Sequence, residues 1–366
     1  MSRVNIRPLF TGKTSTAQVR GGLCYIVESK ADFLVIGQGV AGSLVTWELM
    51  RRGQRVRVLD EPRAGAASRS SGGLVNPLAG KKFPPAWRVQ EALPYARDIY
   101  AALEDQLGCR LWFDQPMLRV LMDEKQVPAL DRAAADPLAS AFVGESFAPG
   151  RWAPQVADPL GSFVTQHAGW VDFETLVTRF RQWLAEQDLL MGEVEEPLEV
   201  AENVVYCEGW RGQENPHFSF VPWTPDRGLI LHLELISGKL PPLIINRGQW
   251  LRPMWDGRYA AGATHGWDRF DQPPLEDEVM ALLETIQEWT TARFNVVGAT
   301  AGVRPAVNDR TPVLGRHPQD ARRSILNGLG GKAALRAPFL ARMLVNSLLA
   351  GEAIPETHDV ARFWKG

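Results

Sequence analysis

The sequence predicts an α/β protein in which a Rossmann-like nucleotide-binding domain is joined to a second, α+β domain built on an antiparallel or mixed sheet. Three observations predict it. The apolar run Asp32-Phe33-Leu34-Val35-Ile36 ends at Gly37-Gln38-Gly39-Val40-Ala41-Gly42 and passes into a helical pattern. A second Gly-rich loop, from Asn327 to Leu335, feeds another apolar-periodic helix reaching about Leu349. Between them, residues 211–275 hold β-branched and aromatic runs, such as Leu229 to Ile236 and Pro242 to Ile245, separated by Gly, Pro and Asp-Gly turns.

The bulk numbers agree with two domains around one ligand cleft. A chain of 366 residues exceeds the length at which a single core stops growing. With 45% apolar and 22% charged residues it has a globular balance, and its formal charge of -2 supplies no sequence-wide basic field for nucleic acid or a membrane surface. Cys24, Cys109 and Cys207 are scattered, without a C-x-x-C pair, so a reduced, cytoplasmic protein without a metal site is expected. No run of eighteen uninterrupted apolar residues appears, and a soluble chain is expected. Residues 1–30 carry Arg3, Arg7, Lys13, Arg20 and Lys30 against Glu28 and lack the apolar centre of a secretory signal. A targeting peptide, an extension without a role, and a start assigned too far upstream all remain open.

The first element is a complete βαβ unit. Behind the glycines, Ala41, Leu44, Val45 and Leu49 fall on one face of a helix that ends at Gly53. A second apolar run, Arg55 to Leu59, closes on Asp60 and Glu61. Gly37 permits a tight turn, Gly39 lets a pyrophosphate approach the backbone, and Gly42 lets helix and strand pack closely. Val40 and Ala41 open the helix, whose free N-H groups suit phosphates. Asp60 is placed to accept hydrogen bonds from an adenosine ribose. This unit does not separate NAD from FAD.

Later elements follow in order. The segment from Ala66 to Pro77 is small and hydroxyl-rich. Helical patterns span Ala92 to Leu107, Phe173 to Gln187 and Glu276 to Phe294, and a buried strand from Val204 runs into a turn at Cys207-Glu208-Gly209-Trp210. Asp256-Gly257 is a hairpin signal, and Gly302-Val303-Arg304-Pro305 precedes the last glycine loop.

In this motif order, from roughly Asp32 to the end, the chain resembles the D-amino-acid-oxidase-like (DAO) FAD-dependent oxidoreductases, the family of glycine oxidase, sarcosine oxidase and the oxidase domain of a bifunctional tRNA-wobble-uridine-modifying enzyme. The resemblance implies FAD, bound noncovalently because no cysteine matches the attachment site of sarcosine oxidase. It implies a discontinuous FAD-binding domain from 31–80, 160–210 and 300–366, with 81–159 and 211–299 as substrate domain. Ser68 and Gly72, Gly73 and Leu74 would lie along the flavin, Cys207, Gly209 and Trp210 would contact the dinucleotide, and the Val194 backbone would touch adenine. The loop Gly328, Gly330, Gly331, Lys332, Ala333 and Ala334 would set a helix start against the flavin pyrimidine carbonyl.

The chemistry implied is hydride transfer from the carbon beside the amine of a small amino acid or amine to flavin N5, followed by hydrolysis of the imine. Electron transfer onward to a quinone or protein acceptor, and flavin binding without turnover, are the alternatives. In the family's amino-acid oxidases the arginine of G-x-R-P grips the substrate carboxylate, a role that falls on Arg304 here; a structural arginine bonding nearby carbonyls is the competing account. His265 could face the flavin or be structural. Trp250, Trp255 and Trp267 could line an apolar pocket or pack ordinarily, and Lys332 and Arg336 could meet an anionic substrate or solvent. Glycine oxidase has a second arginine where this chain has Gly331, so its substrate does not transfer. A tRNA-like substrate stays open, although the charge argues against a nucleic-acid surface.

Overall fold

The computed structural model describes residues 15–20, 23–28, 30–61, 64–192 and 197–366. Val194 lies outside the described residues. Of the N-terminal extension, Ser15–Arg20 and Leu23–Glu28 pair as an antiparallel ribbon.

The nucleotide side is a six-stranded sheet in the order Leu190–Met191, Val56–Leu59, Ala31–Ile36, Ala201–Tyr206, Asp320–Asn327 and Val313–His317. All neighbours run parallel except the last pair. Its central strand reads as a continuous apolar run because both faces are covered. Phe33 and Val35 point into a core shared with several helices, while Leu34 joins Val204, Tyr206, Phe218 and Val307 on the opposite face. The helix Val40–Arg51 behind the first glycine loop is buried at nearly every turn, not on the single face its pattern suggests. The reason is position: it sits between the sheet and the helices Phe173–Glu186 and Ala333–Ala350. Its one buried acid, Glu48, is held by Arg52 and Tyr95. The segment Gly330–Ala350 is long and apolar enough to cross a membrane by length and composition, yet Leu335, Phe339, Leu340, Leu344 and Val345 are buried in the same core.

The second sheet has eight strands, ordered Arg293–Arg304, Asp226–Ser237, Tyr259–Gly262, Gln249–Pro253, Ile244–Arg247, Met117–Val120, Ser162–Thr165 and Val143–Phe147. It is mixed: the strand Ile244–Arg247 runs parallel to Met117–Val120 and the other neighbours are antiparallel. Strand period decides its two faces. Leu229, Leu231, Leu233 and Leu251 pack with Leu282, Ile286 and Trp289 on the outer face. Ile230 and Trp250 point the other way, toward Leu74, which belongs to a small sheet of Leu74–Val75, Gly169–Val171 and Trp112–Asp114. The Asp256-Gly257 turn joins Gln249–Pro253 to Tyr259–Gly262 as predicted.

Two expectations need correction. The predicted helix over Glu276 to Phe294 ends at Gln287, and Phe294 lies in the strand Arg293–Arg304, buried on the outer face of the second sheet. The helix Val89–Leu107, expected with the substrate domain, packs instead on Ala333–Ala350, where Ala96, Ile99, Tyr100 and Leu103 join the nucleotide-side core.

Candidate active site

A cleft opens at the carboxyl ends of Ala31–Ile36 and Val56–Leu59, the place where ligands bind in open α/β sheets. Gly37 takes a φ of +94°, and a Cβ there would meet the Cys207 carbonyl oxygen at 2.5 Å. A Cβ on Gly42 would stand 1.7 Å from the Gly37 carbonyl oxygen, so the turn and the helix start close on each other only with hydrogen at both positions. Gln38, 4% exposed, bolts this loop down by donating to Ser43 Oγ at 2.9 Å and to the Val177 carbonyl at 3.0 Å.

The acid of this cleft has partners within the protein. Asp60 Oδ1 accepts from the Gln38 N-H at 2.8 Å, and Arg181 donates to Asp60 Oδ2 at 2.5 Å and to its carbonyl at 3.2 Å. Ser68 Oγ accepts from the Val40 N-H at 3.0 Å. Across the cleft, Asn327 donates to the Gly209 carbonyl at 2.8 Å and accepts from the Gly328 N-H at 2.8 Å, tying the second dinucleotide-side turn to the last glycine loop. Burial pushes the Cys207 thiol up and away from thiolate chemistry.

Of the residues singled out in the sequence, the cleft brings together Gly37, Gly39, Val40, Ala41, Asp60, Glu61, Ser68, Cys207, Gly209, Trp210, Gly330 and Ala333. Leu74, Gly331 and Lys332 line a second, smaller cavity instead, shared with Asn76, Leu78, Gly80 and Arg336. Gly72 and Gly73 serve packing: a Cβ on Gly72 would strike the Trp250 ring at 2.4 Å, and one on Gly73 the Val171 carbonyl oxygen at 1.9 Å. Gly42 and Gly328 are likewise close-approach positions, and the Ala334 carbonyl accepts from the buried Tyr100 hydroxyl at 3.1 Å. Sequence reasoning missed Arg181, Asn327, Phe173 and Val177 as parts of the cleft or its support. Arg181 carries no local signal, since its pairing with Asp60 spans 121 residues.

Arg304 ends the strand Arg293–Arg304 and is not free. Its Nη1 donates to Asp226 Oδ2 at 2.7 Å and its Nη2 to the Thr264 carbonyl at 3.2 Å, while the side chain lies over Gly228, where a Cβ would stand 2.1 Å from Nη2. His265 Nδ1 sits 2.7 Å from the same Asp226 oxygen, with its side chain 65% exposed. Arg304 also passes Gly331, whose Cβ position lies 3.8 Å from Arg304 Cδ. Trp250 is buried against Gly72 and Gly262, whereas Trp255 and Trp267 are exposed and line neither of these two cavities. Two further arginines lie inside. Arg119 donates to the Leu78 and Gly80 carbonyls at 3.3 and 3.0 Å, and Arg252 lies 3.7 Å over the Trp170 ring; burial brings each down to about 10.

The cleft fits a dinucleotide. It offers a glycine turn into a buried helix, small residues at Ala64, Ala66 and Ala67, an acid at the end of the second strand, and a second helix start at Ala333. Comparison with known proteins agrees. The model of the family described as FAD dependent oxidoreductase (DAO) matches residues 32–347. Glycine oxidase of Pseudomonas aeruginosa is 25% identical over 351 residues, covering 88% of this chain and 95% of that protein. The tRNA 5-methylaminomethyl-2-thiouridine biosynthesis bifunctional protein MnmC of Maricaulis maris is 29% identical over 333 residues, covering 87% of this chain and 52% of that protein, so the chain spans about half of that relative. Among solved structures, iminodiacetate oxidase from Chelativorans sp. BNC1 shares the fold at a TM-score of 0.75 and 21% identity, with 88% of this chain and 97% of that one covered.

Proposed function

The chain belongs to the DAO family of FAD-dependent oxidoreductases, and from that premise we propose that it oxidises a small amine or amino acid. When bound, FAD supplies the two-electron acceptor for the hydride on the carbon beside the amine, leaving an imine that water hydrolyses. The chain's own residues orient and desolvate. Gly37, Gly39 and the start of the helix Val40–Arg51 would hold the pyrophosphate, and Asp60, oriented by Arg181, would accept from the ribose. The Gly330 N-H is held by the Pro305 carbonyl at 2.8 Å, and the start of the last helix at Ala333 would face the flavin ring, where its positive dipole stabilises developing negative charge.

The observation that carries this reading is the shared loop. The residues that close the dinucleotide cleft at Gly330 and Ala333 continue through Gly331, which Arg304 passes, so a cofactor ring and an amino-acid carboxylate would meet there. Arg304 keeps N-H groups beyond those given to Asp226 and Thr264, and a planar guanidinium suits a carboxylate. His265 would act through Asp226, as a positioning residue. A cytoplasmic location is part of the same proposal.

The test is direct. Purified protein with a flavin spectrum is mixed anaerobically with glycine, sarcosine, D- and L-amino acids and simple amines, and flavin bleaching is followed. Bleaching by one class identifies the substrate, and readmitted air separates an oxidase from a dehydrogenase that uses another acceptor. A flavin that stays oxidised with every amine overturns the proposal.

A further inference from the structure

The second cavity carries charge that nothing among the described residues answers. It is lined by Leu74, Asn76, Leu78, Gly331, Lys332 and Arg336 among others, and no carboxylate is among its lining residues. Lys332 is exposed at its rim and Arg336 is half-buried in the first turns of Ala333–Ala350. Neither side chain makes a hydrogen bond or ion pair among the described residues, and Arg336 Nε is buried without a partner. The charges acting on Lys332 are both positive, those of Arg336 and Arg310, and they add to burial in holding its ammonium below the ordinary lysine value. Two cations facing one cavity with no acid is an unfavourable arrangement unless an anion joins them.

The cavity is also a built one. Arg119, 9% exposed, clamps the carbonyls of Leu78 and Gly80 and so fixes the wall opposite Lys332 and Arg336. Its other limit is Gly331, beside Arg304, whose own charge is balanced by Asp226. The unbalanced cations therefore line a cavity whose Gly331 wall neighbours the proposed carboxylate clamp.

We propose that Lys332 and Arg336 form a subsite for an acidic group of the substrate, and that the chain acts on amines carrying two carboxylates in preference to one. This rests on the reading of the chain as an amine or amino-acid oxidoreductase. One carboxylate meets Arg304 and the second bridges Lys332 and Arg336, with the amine-bearing carbon between them. The guanidinium of Arg336 gives directional N-H donors, and Lys332 gives a point charge at the mouth.

Binding and turnover test it separately. The oxidised holoenzyme is titrated with malonate and succinate against acetate and propionate at matched ionic strength, following flavin absorbance or heat. Dicarboxylates are expected to bind at least tenfold tighter, and Arg336→Leu or Lys332→Gln to abolish that preference while FAD content is unchanged. Arg336→Lys should recover part of it. Equal affinities in the unaltered protein, or a preference that survives both substitutions, overturn the subsite. Should Arg336→Leu fail to fold, Lys332→Gln at the exposed rim decides the same point. In parallel, aspartate, glutamate and iminodiacetate are compared with alanine, glycine and sarcosine in anaerobic bleaching. If no amine bleaches the flavin while the dicarboxylate preference stands and depends on Arg336, the oxidoreductase reading fails and the anion subsite remains. If monocarboxylic amines bleach the flavin as readily as dicarboxylic ones in the unaltered protein, and Arg336→Leu slows neither, the subsite fails and the oxidoreductase reading remains.

Discussion

The dinucleotide cleft and the second cavity share one loop and treat charge in opposite ways. Gly330 and Ala333 line the cleft, whereas Gly331 and Lys332 line the cavity. In the cleft, the carboxylate of Asp60 already holds the Gln38 N-H and Arg181, and the Val40 N-H already has Ser68. In the cavity, Lys332 and Arg336 have no such partner among the described residues. The difference teaches that folding completes the cleft by itself, as preorganisation for a resident cofactor requires, while the cavity is completed only by what enters it.

The largest expected effect comes from attacking the closed region. Gly42→Val places side-chain carbon where only 1.7 Å separates a Cβ from the Gly37 carbonyl oxygen. It should destabilise the fold by more than ~3 kcal/mol and abolish FAD retention, seen as a lowered melting temperature and a lost flavin absorbance ratio. Gly331→Ala, on the cavity side of the loop, meets Arg304 at an ordinary 3.8 Å and should keep both. Equal damage by the two substitutions would erase the contrast.

Next in size is Arg304→Leu. Loss of a charge-assisted bidentate contact should weaken binding of a carboxylic substrate by ~2–3 kcal/mol, roughly 30- to 150-fold in KM, with FAD content intact. Unchanged KM would assign Arg304 to the Asp226 and Thr264 contacts alone. Arg181→Ala should act on the other region: freeing Asp60 should raise the FAD dissociation constant about tenfold, a loss of ~1–1.5 kcal/mol, measured by flavin fluorescence on dilution. Dicarboxylate preference should not change.

The smallest effect reads the field of the cationic cavity from behind. His358 is 3% exposed, stacks on Trp87 at 4.1 Å, and is held down to about 4 by burial first, then by Arg362, Arg336 and Arg88 against the opposing charge of Asp309. Its folded value lies below the ordinary 6.5, so the unfolded chain binds the proton more readily between those values. The stability is fully present above pH 6.5 and is lost as pH falls toward 4. Melting temperatures from pH 7.5 to 4.5 should show this slope, His358→Phe should flatten it, and Arg336→Leu should shift its lower edge upward. A slope indifferent to Arg336 would place the cavity's field out of reach of His358.

Much of the cleft was legible in the sequence because its parts are local. A strand, a glycine turn, a helix and an acid within thirty residues leave a readable spacing, and Gly37, Gly39, Asp60 and Ser68 all line the cleft. The Asp256-Gly257 hairpin and the start of the last helix were legible for the same reason. The end of the helix after Glu276 was not, because Phe294 fits a helical apolar pattern as well as the strand that pairing with Asp226–Ser237 imposes. Gly72 reads as a flavin-loop residue, yet the space it leaves is taken by Trp250, which no local pattern announces.

By itself, the sequence determined the dinucleotide motif, the residues able to turn so tightly, and the supply of arginines, since backbone conformation and local period are written into consecutive residues. Only the tertiary structure decided which charges are spent. Arg181 reaches Asp60, Asp226 takes Arg304, and Arg119 is drawn to the Leu78 and Gly80 carbonyls, while Lys332 and Arg336 are left facing a cavity without an acid. Pairing depends on distances between elements remote in the chain, and burial makes each pairing matter, because an ion removed from water must find its counter-charge within a few ångströms.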